Sequence, residues 1–215
     1  VQDRLAKIGG GTIAPMSSAT SIGPSIAREV TTNGLVSVLT ALATMVLFLA
    51  VRFAIGGFKN GLKFGAGAAF AIVQDVLIVV GFFALMGAVA GWQVDTLFLT
   101  ACLGLLGFAV NDVIVVYDRI RENIRTRARN ETFADVANRA MTQSFDRSFN
   151  TNFFIMLSLA AMAIFGGESL RLFNIALLLG LAVASFTSIY VATPLVVQME
   201  QEAIALMEAL QRKQF

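Results

Sequence analysis

Two aspartates stand inside long apolar stretches of this sequence: Asp75, preceded by Gln74, and Asp112, preceded by Asn111. An ionisable side chain within a membrane-length apolar segment costs roughly 2.5–3.5 kcal/mol to insert and marks a functional position by default. A third group, Arg147, opens another apolar stretch and is followed by Asn150, Thr151 and Asn152. Apolar surroundings and a nearby guanidinium act in opposite directions on the charge of a carboxyl group. If helix movement brought Arg147 to Asp112 and withdrew it again, the carboxyl would release and rebind a proton. That is the chemistry of a relay. The plainer reading is a fixed Asp–Arg pair that ties two helices together. Asp75 has no obvious cationic partner, which leaves it a backbone group or a water-filled cavity.

The remaining composition excludes other chemistries. There is no His, so histidine triads, His-ligated metals and imidazole shuttles are ruled out. The one cysteine, Cys102, forbids an internal disulfide or a paired-cysteine metal motif, and in its apolar run it reads as a small hydrophobe. A net charge of +2 gives no footprint for nucleic acid. Hydrophobic residues make up 57% of the 215 and charged residues only 14%, too few to cover a soluble domain of this size.

The polar groups must therefore be positioned by elements in lipid. Five runs are long and apolar: Val30 to Val51, Phe64 to Val94 around Asp75, Thr96 to Tyr117 around Asp112, Ser148 to Gly167, and Leu172 to Met199. About 20 apolar residues span a bilayer, and backbone polarity forces such runs to be helical there. The fold class expected is an all-α integral membrane protein with five transmembrane helices, at about 30–53, 65–90, 94–117, 148–166 and 170–197. Residues 1–29 read as the tail of an extracytoplasmic domain, 30–199 as the transmembrane domain and 200–215 as a cytoplasmic tail. Arg52, Lys59 and Lys63 lie between the first two spans, and Arg119, Arg121, Arg125, Arg127, Arg129, Arg139 and Arg147 between the third and fourth. The other two connections hold only Arg171. The positive-inside rule then sets the amino end outside and the carboxyl end in the cytoplasm, with Trp92 at the outer interface. An external amino end with no translocation signal, beginning at Val1, leads us to expect a further span and most of an external domain upstream.

The cytoplasmic segment 118–146 has its own pattern. Asp118 to Arg129 continues the third helix. Thr132 then offers a cap, with Asp135 three residues on, and Phe133, Val136, Ala137, Ala140 and Met141 recur at helical spacing. This predicts a short amphipathic cytoplasmic helix on the inner leaflet, its arginines either held by anionic headgroups or docked on a partner. Gly65, Gly67 and Ala69 in the second span and Gly104 and Gly107 in the third suggest close helix approach, and the face of Gly107 and Asn111 is expected to meet another helix. Pro194 is expected to bend or end the fifth span.

At Val110-Asn111-Asp112-Val113-Ile114-Val115-Val116-Tyr117-Asp118-Arg119-Ile120-Arg121-Glu122-Asn123 the sequence resembles the signature of the SecF family, one half of the SecDF protein-export machinery. Ile22-Gly23-Pro24 with Arg28-Glu29, Gln74-Asp75-Val76-Leu77, and Arg147-Ser148 with Thr151 resemble further motifs of that family in the same order. Gln74 stands where the family usually has His, Asn152 where Ser is common and Ala27 where Gly is usual. The resemblance implies the last five helices of a six-helix bundle of the resistance-nodulation-division type. It implies a multi-pass protein of the bacterial cytoplasmic membrane that uses a proton or sodium gradient to draw preproteins outward. Implied partners are SecD, separate or fused, the SecYEG translocon, YajC and YidC, with unfolded preprotein as substrate. Asp112 and Arg147 fall on the family's intramembrane relay residues, with Asp75, Asn111, Asn150 and Gln74 as supporting polar groups. No cofactor or metal is implied beyond the transported ion, and no enzyme activity.

The alternative of the same superfamily is an ion-coupled small-molecule exporter, but the connection Gly91 to Asp95 is too short to carry a porter domain. An intramembrane aspartyl protease would need a Gly-x-Gly-Asp motif, and the sequence has none. A purely structural scaffold would tolerate replacement of Asp112.

Overall fold

A computed structural model describes residues 24–54 and 58–212, and all of its regular structure is helical. The helices are α1 (Pro24–Arg52), α2 (Phe58–Ala90), α3 (Thr96–Arg125), α4 (Phe133–Phe165), α5 (Glu168–Thr187) and α6 (Thr193–Arg212), with a π-helical turn, Ser188–Ala192, joining the last two. Five helical stretches are long and apolar enough to cross a membrane, the fifth running through α5, the π turn and into α6. The chain divides into a small unit up to Asn33 and a main unit from Gly34 onward. Residues 24–33 of the first unit are the opening turns of α1, with Pro24 in the first turn, where its missing N–H costs nothing. The expected loop at Gly9–Gly11 and Ser17-Ser18 lies outside the described residues.

Local sequence accounts for the helix ends. Gly91 follows α2 with φ of 69°, the left-handed conformation that lets a helix stop. Asp95 caps α3 by accepting a hydrogen bond from the Phe98 amide at 3.0 Å. Thr132 and Asp135 cap α4 reciprocally: the Asp135 amide donates to the Thr132 hydroxyl at 3.2 Å, and the Thr132 amide donates to the Asp135 carboxylate at 2.9 Å. This is the capping box expected from the spacing. At the far end Gly166 sits where a Cβ would come within 2.2 Å of the Met162 carbonyl oxygen.

The main unit is arranged around α3 and α5. The membrane-length windows of the third and fifth stretches are each 50% buried, against 11% for the first and fourth. α5 packs against α2, α3 and α4. Leu105, Leu106, Ala109, Val113 and Val116 of α3 join Ala176, Leu177 and Ala184 of α5 in one apolar core. Tyr117 closes the core at the basic end, edge-on to Phe53 and Phe64, and its hydroxyl donates to the Ala192 carbonyl at 3.3 Å. The outer faces of α1 and α4 carry exposed Leu35, Leu39, Phe48, Phe149, Phe153 and Leu157. An apolar exterior over a partly polar interior is the arrangement lipid requires.

Three expectations are corrected or narrowed. The amphipathic segment is not a separate surface helix: Phe133 to Phe165 is one helix of 33 residues. Nothing between Phe133 and Phe165 is a glycine or proline that would stop it. Its apolar stripe is buried, with Val136, Ala137 and Ala140 fully covered, and Asn123 of α3 donates to Gln143 at 3.1 Å. The stripe therefore serves helix packing instead of a leaflet surface. Among the described residues no atom lies within 4 Å of where a Cβ on Gly107 would stand, so no close helix approach is seen at that glycine. Close approach is found in α2, as expected at Gly65, where a Cβ would come within 3.0 Å of the Val46 carbonyl oxygen, and also at Gly61, within 2.0 Å of that of Ala50. Of the two readings of Pro194, ending the span is excluded: the helix continues to Arg212 past the π turn that precedes the proline. Trp92 is half buried, packed against Phe82 and Phe83.

Candidate functional site

Both intramembrane aspartates are buried inside the bundle. Asp112 is 2% exposed and Asp75 is 1% exposed. Asp112, on the buried face of α3, accepts a hydrogen bond from the Asn152 Nδ2 of α4 at 2.6 Å. The same nitrogen donates to the Ser185 hydroxyl of α5 at 2.7 Å, and Ser185 donates in turn to the Leu181 carbonyl at 2.7 Å. One carboxylate, one amide and one hydroxyl thus join three helices. An amide nitrogen has two hydrogens, so it serves both acceptors at once.

Asp75, on α2, meets α5 by a second route. The Thr187 hydroxyl lies 2.5 Å from its Oδ1 and 3.3 Å from the Ala184 carbonyl. The structure thus gives Asp75 a side-chain partner, where the sequence suggested a backbone group or a cavity. Gln74, beside it, is half buried.

Arg147 is elsewhere. It is exposed and lines a cavity of about 510 Å³ between α3 and α4, together with Asn111, Asp118, Arg119, Gln143 and Ser144. Among the described residues no ion pair links it to Asp112. Asn111 is exposed at the same cavity, and Asn150 is exposed on α4. The structure therefore brings Asp112 to Asn152 and Asp75 to Thr187, and it places Arg147 and Asn111 at a neighbouring opening.

The basic end carries its own ties. Asp118 accepts from Arg52 at 3.3 Å and lies 3.8 Å from Arg121, while Lys63 of α2 pairs with Glu200 of α6 at 2.6 Å. Arg119 pairs with Glu122 at 2.6 Å, and Arg139 pairs with Glu131. Arg119, Arg121 and Arg139 of the arginine-rich connection are thus matched by acids at the same end. Among the described residues no cluster of His, Cys, Asp and Glu could hold a metal ion.

Ser185 and Thr187 were missed by sequence reasoning, and Asn152 entered it only as a polar neighbour of Arg147 and a departure from a family pattern, with no role. The available signal was a polar group, Ser185, Thr187 and Ser188, in the middle of the fifth apolar run.

Five membrane-length helices holding two hydrogen-bonded carboxylates between them define a multi-span membrane protein with ionisable groups at its centre. Residues 4–202 match the family described as protein export membrane protein SecD/SecF, C-terminal. The chain is 39% identical over 175 residues to the protein translocase subunit SecF of Anaerolinea thermophila, covering 81% of this chain and 56% of that one. It is 34% identical over 184 residues to the protein translocase subunit SecDF of Thermus thermophilus, covering 86% of this chain and 23% of that one. The crystal structure of SecDF from Thermus superposes with a TM-score of 0.74 at 33% identity, over 84% of this chain and 23% of that one. The form described as super-membrane-facing gives 0.73 at 32% identity, over 87% of this chain and 23% of that one. The chain belongs to the SecD/SecF family of protein-export membrane proteins. It spans a little over half the length of the SecF relative from Anaerolinea, at 56%.

Proposed function

We propose that this chain supplies five membrane-spanning helices of a SecF-like subunit that couples a proton or sodium gradient to late protein translocation across the bacterial cytoplasmic membrane. It acts with SecD, separate or fused, alongside SecYEG, with YajC and YidC as further partners and unfolded preprotein as cargo. The arginine-rich end faces the cytoplasm, and the end bearing Gly91 and Gly167 faces outward. It has no catalytic centre of its own and needs no cofactor beyond the coupling ion.

The observation that carries the reading is Asp112, buried between three helices and held by the Asn152 amide at 2.6 Å in a chain of this family. A carboxyl in that position can bind and release one proton, and its hydrogen-bond partners decide which form is favoured. Asp112 exchanges partners as the helices move. It pairs with Asn152 in the arrangement described and with Arg147 in the other. Each exchange changes the number of protons held in the bundle, so the gradient drives the movement. Asp75, Gln74, Asn111 and Asn150 support that exchange.

The test is export into energised inverted membrane vesicles by the complete complex carrying Asp112→Asn. Asparagine keeps the size and hydrogen bonding of aspartate but has no proton to release. Loss of gradient-dependent export with intact assembly is the expected result. Unchanged export would remove Asp112 from the coupling path and the proposal with it.

A further inference from the structure

A groove runs along the outside of the bundle between α4 and the end of α5. Asn138, Thr142, Asp146, Phe145 and Tyr190 line a cavity of about 310 Å³ there. Phe149 and Phe186 line a second of about 190 Å³, and Phe145, Ile189 and Tyr190 border both. The two cavities are therefore parts of one groove, polar at one end and aromatic at the other.

The aromatic walls are built by helical spacing. Phe145 stacks on Phe149 with ring centroids 5.9 Å apart, and Phe186 stacks on Tyr190 at 4.7 Å. All four rings are exposed. Each pair is four residues apart, so each helix presents a flat apolar strip. In a bilayer such a groove takes up a lipid chain unless protein covers it, because its walls otherwise forfeit their dispersion contacts.

The polar end selects the headgroup. Asn138, Thr142 and Asp146 are exposed at four-residue spacing on α4 and precede the apolar run that starts at Ser148. They stand at headgroup level, at the arginine-rich end. The Thr142 hydroxyl gives its hydrogen to the Asn138 carbonyl at 3.0 Å, which leaves its oxygen as an acceptor. Among the described residues Asp146 makes no ion pair, and no Lys or Arg lines the groove. A carboxylate, a hydroxyl oxygen and the faces of Phe145 and Tyr190 suit a primary ammonium, which is cationic and has three hydrogens to donate. An anionic headgroup would meet repulsion from Asp146 and no cation to offset it.

We propose that this groove binds an aminophospholipid, with the ammonium held at Asp146 and an acyl chain laid between Phe149 and Phe186. The chain covers the Asn152–Ser185 hydrogen bond, whose residues also line the inner cavity, from the lipid side. Lipid binding there does not depend on the role of Asp112.

The experiment uses the complete complex, assembled with its partner half, in vesicles of equal ethanolamine and glycerol phospholipid. A phosphatidylethanolamine or a phosphatidylglycerol probe is added, each carrying a photoactivatable diazirine midway along one acyl chain, and labelled residues are located by mass spectrometry. The ethanolamine probe is expected to label residues 145–149 and 186–190 about fivefold more than the glycerol probe. Leu157, exposed on α4 outside the groove, should take both probes equally. Asp146→Asn should abolish the preference, and Asp146→Glu, which keeps the charge, should hold it to within about twofold of the wild type. Asp146 is exposed, so neither change disturbs the core. Equal labelling of the wild-type groove by both probes overturns the proposal, because the groove then takes chains without reading headgroups. An unchanged preference in Asp146→Asn, or its loss in Asp146→Glu as well, overturns it equally. So does an unlabelled groove beside a labelled Leu157, which would mean that protein covers the site.

Discussion

Replacing Asn152 with alanine removes both donors that its amide supplies. The Ser185 hydroxyl keeps its own bond to Leu181 and loses only a group it accepted from. The cost therefore falls on Asp112, which is 2% exposed. In water-soluble proteins a hydrogen bond to a charged group contributes about 1.5–3 kcal/mol. Inside a membrane the figure is lower, because the unfolded state in lipid also finds partners, and coupled pairs there average about 0.6 kcal/mol with a maximum near 1.7. Charge assistance roughly doubles a neutral bond. A double-mutant cycle on Asp112→Ala and Asn152→Ala is thus expected to give a coupling energy of about 1.2–1.7 kcal/mol if Asp112 is ionised in this arrangement, and about 0.6 if it is neutral. The assay is equilibrium unfolding in mixed micelles at rising dodecyl sulfate fraction, run for the wild type, both single variants and the double. Effects that add to within about 0.3 kcal/mol would refute the claim that these two groups form one energetic unit.

The same alanine substitution at two glycines should have opposite effects. Gly61→Ala drives a methyl against the Ala50 backbone carbonyl, which no rotamer change can relieve, and is expected to destabilise by about 2–3 kcal/mol or more in the same unfolding assay. Gly107→Ala meets nothing within 4 Å and gains helix propensity, so the isolated chain should be unchanged or more stable by up to about 1 kcal/mol. At the start of α4, the Thr132 hydroxyl and amide hold the exposed Asp135 carboxyl below its usual range. A lowered value in the folded state means that its contribution to the cap is present above the unfolded value, about 3.9, and is lost as pH falls through the folded one. Amide exchange in the first turn of α4 should accelerate at that acid end in the wild type, and at neutral pH already in Thr132→Ala.

The spans were legible because lipid imposes a single rule on length and polarity. Five runs such as Thr96 to Tyr117 satisfy it without help from tertiary contacts, and the Thr132–Asp135 cap is equally local. The burial of Asp75 and Asp112 followed from their neighbours in sequence. Their partners did not, because Asn152 and Thr187 lie 40 and 112 residues away and meet them only through helix rotation. Rotation also explains the position of Arg147. At about 100° per residue, five residues separate Arg147 from Asn152 by about 140° around α4. The orientation that gives Asn152 to Asp112 therefore turns Arg147 toward the cavity. The amphipathic pattern around Val136 and Ala140 was read correctly as one apolar face, but periodicity does not say whether lipid or α3 covers it.

Both carboxylates are linked to the same short piece of chain. Asp112 reaches α5 through Asn152 to Ser185, and Asp75 reaches it through Thr187, two residues further on. The Thr187 hydroxyl has one hydrogen and two acceptors nearby. If Asp75 is ionised, that hydrogen goes to the carboxylate. If Asp75 carries a proton, the carboxyl donates instead, and Thr187 turns its hydrogen to the Ala184 carbonyl. Neither state leaves a buried polar atom unpaired, so the site accommodates a change of charge without a hydrogen-bond penalty at Thr187. The π turn begins at the next residue, Ser188, where the backbone ladder already departs from α-helical register. Of the helices in the bundle, α5 packs on α2, α3 and α4 alike. A displacement at Thr187 therefore reaches the three helices that carry Asp75, Asp112 and Asn152.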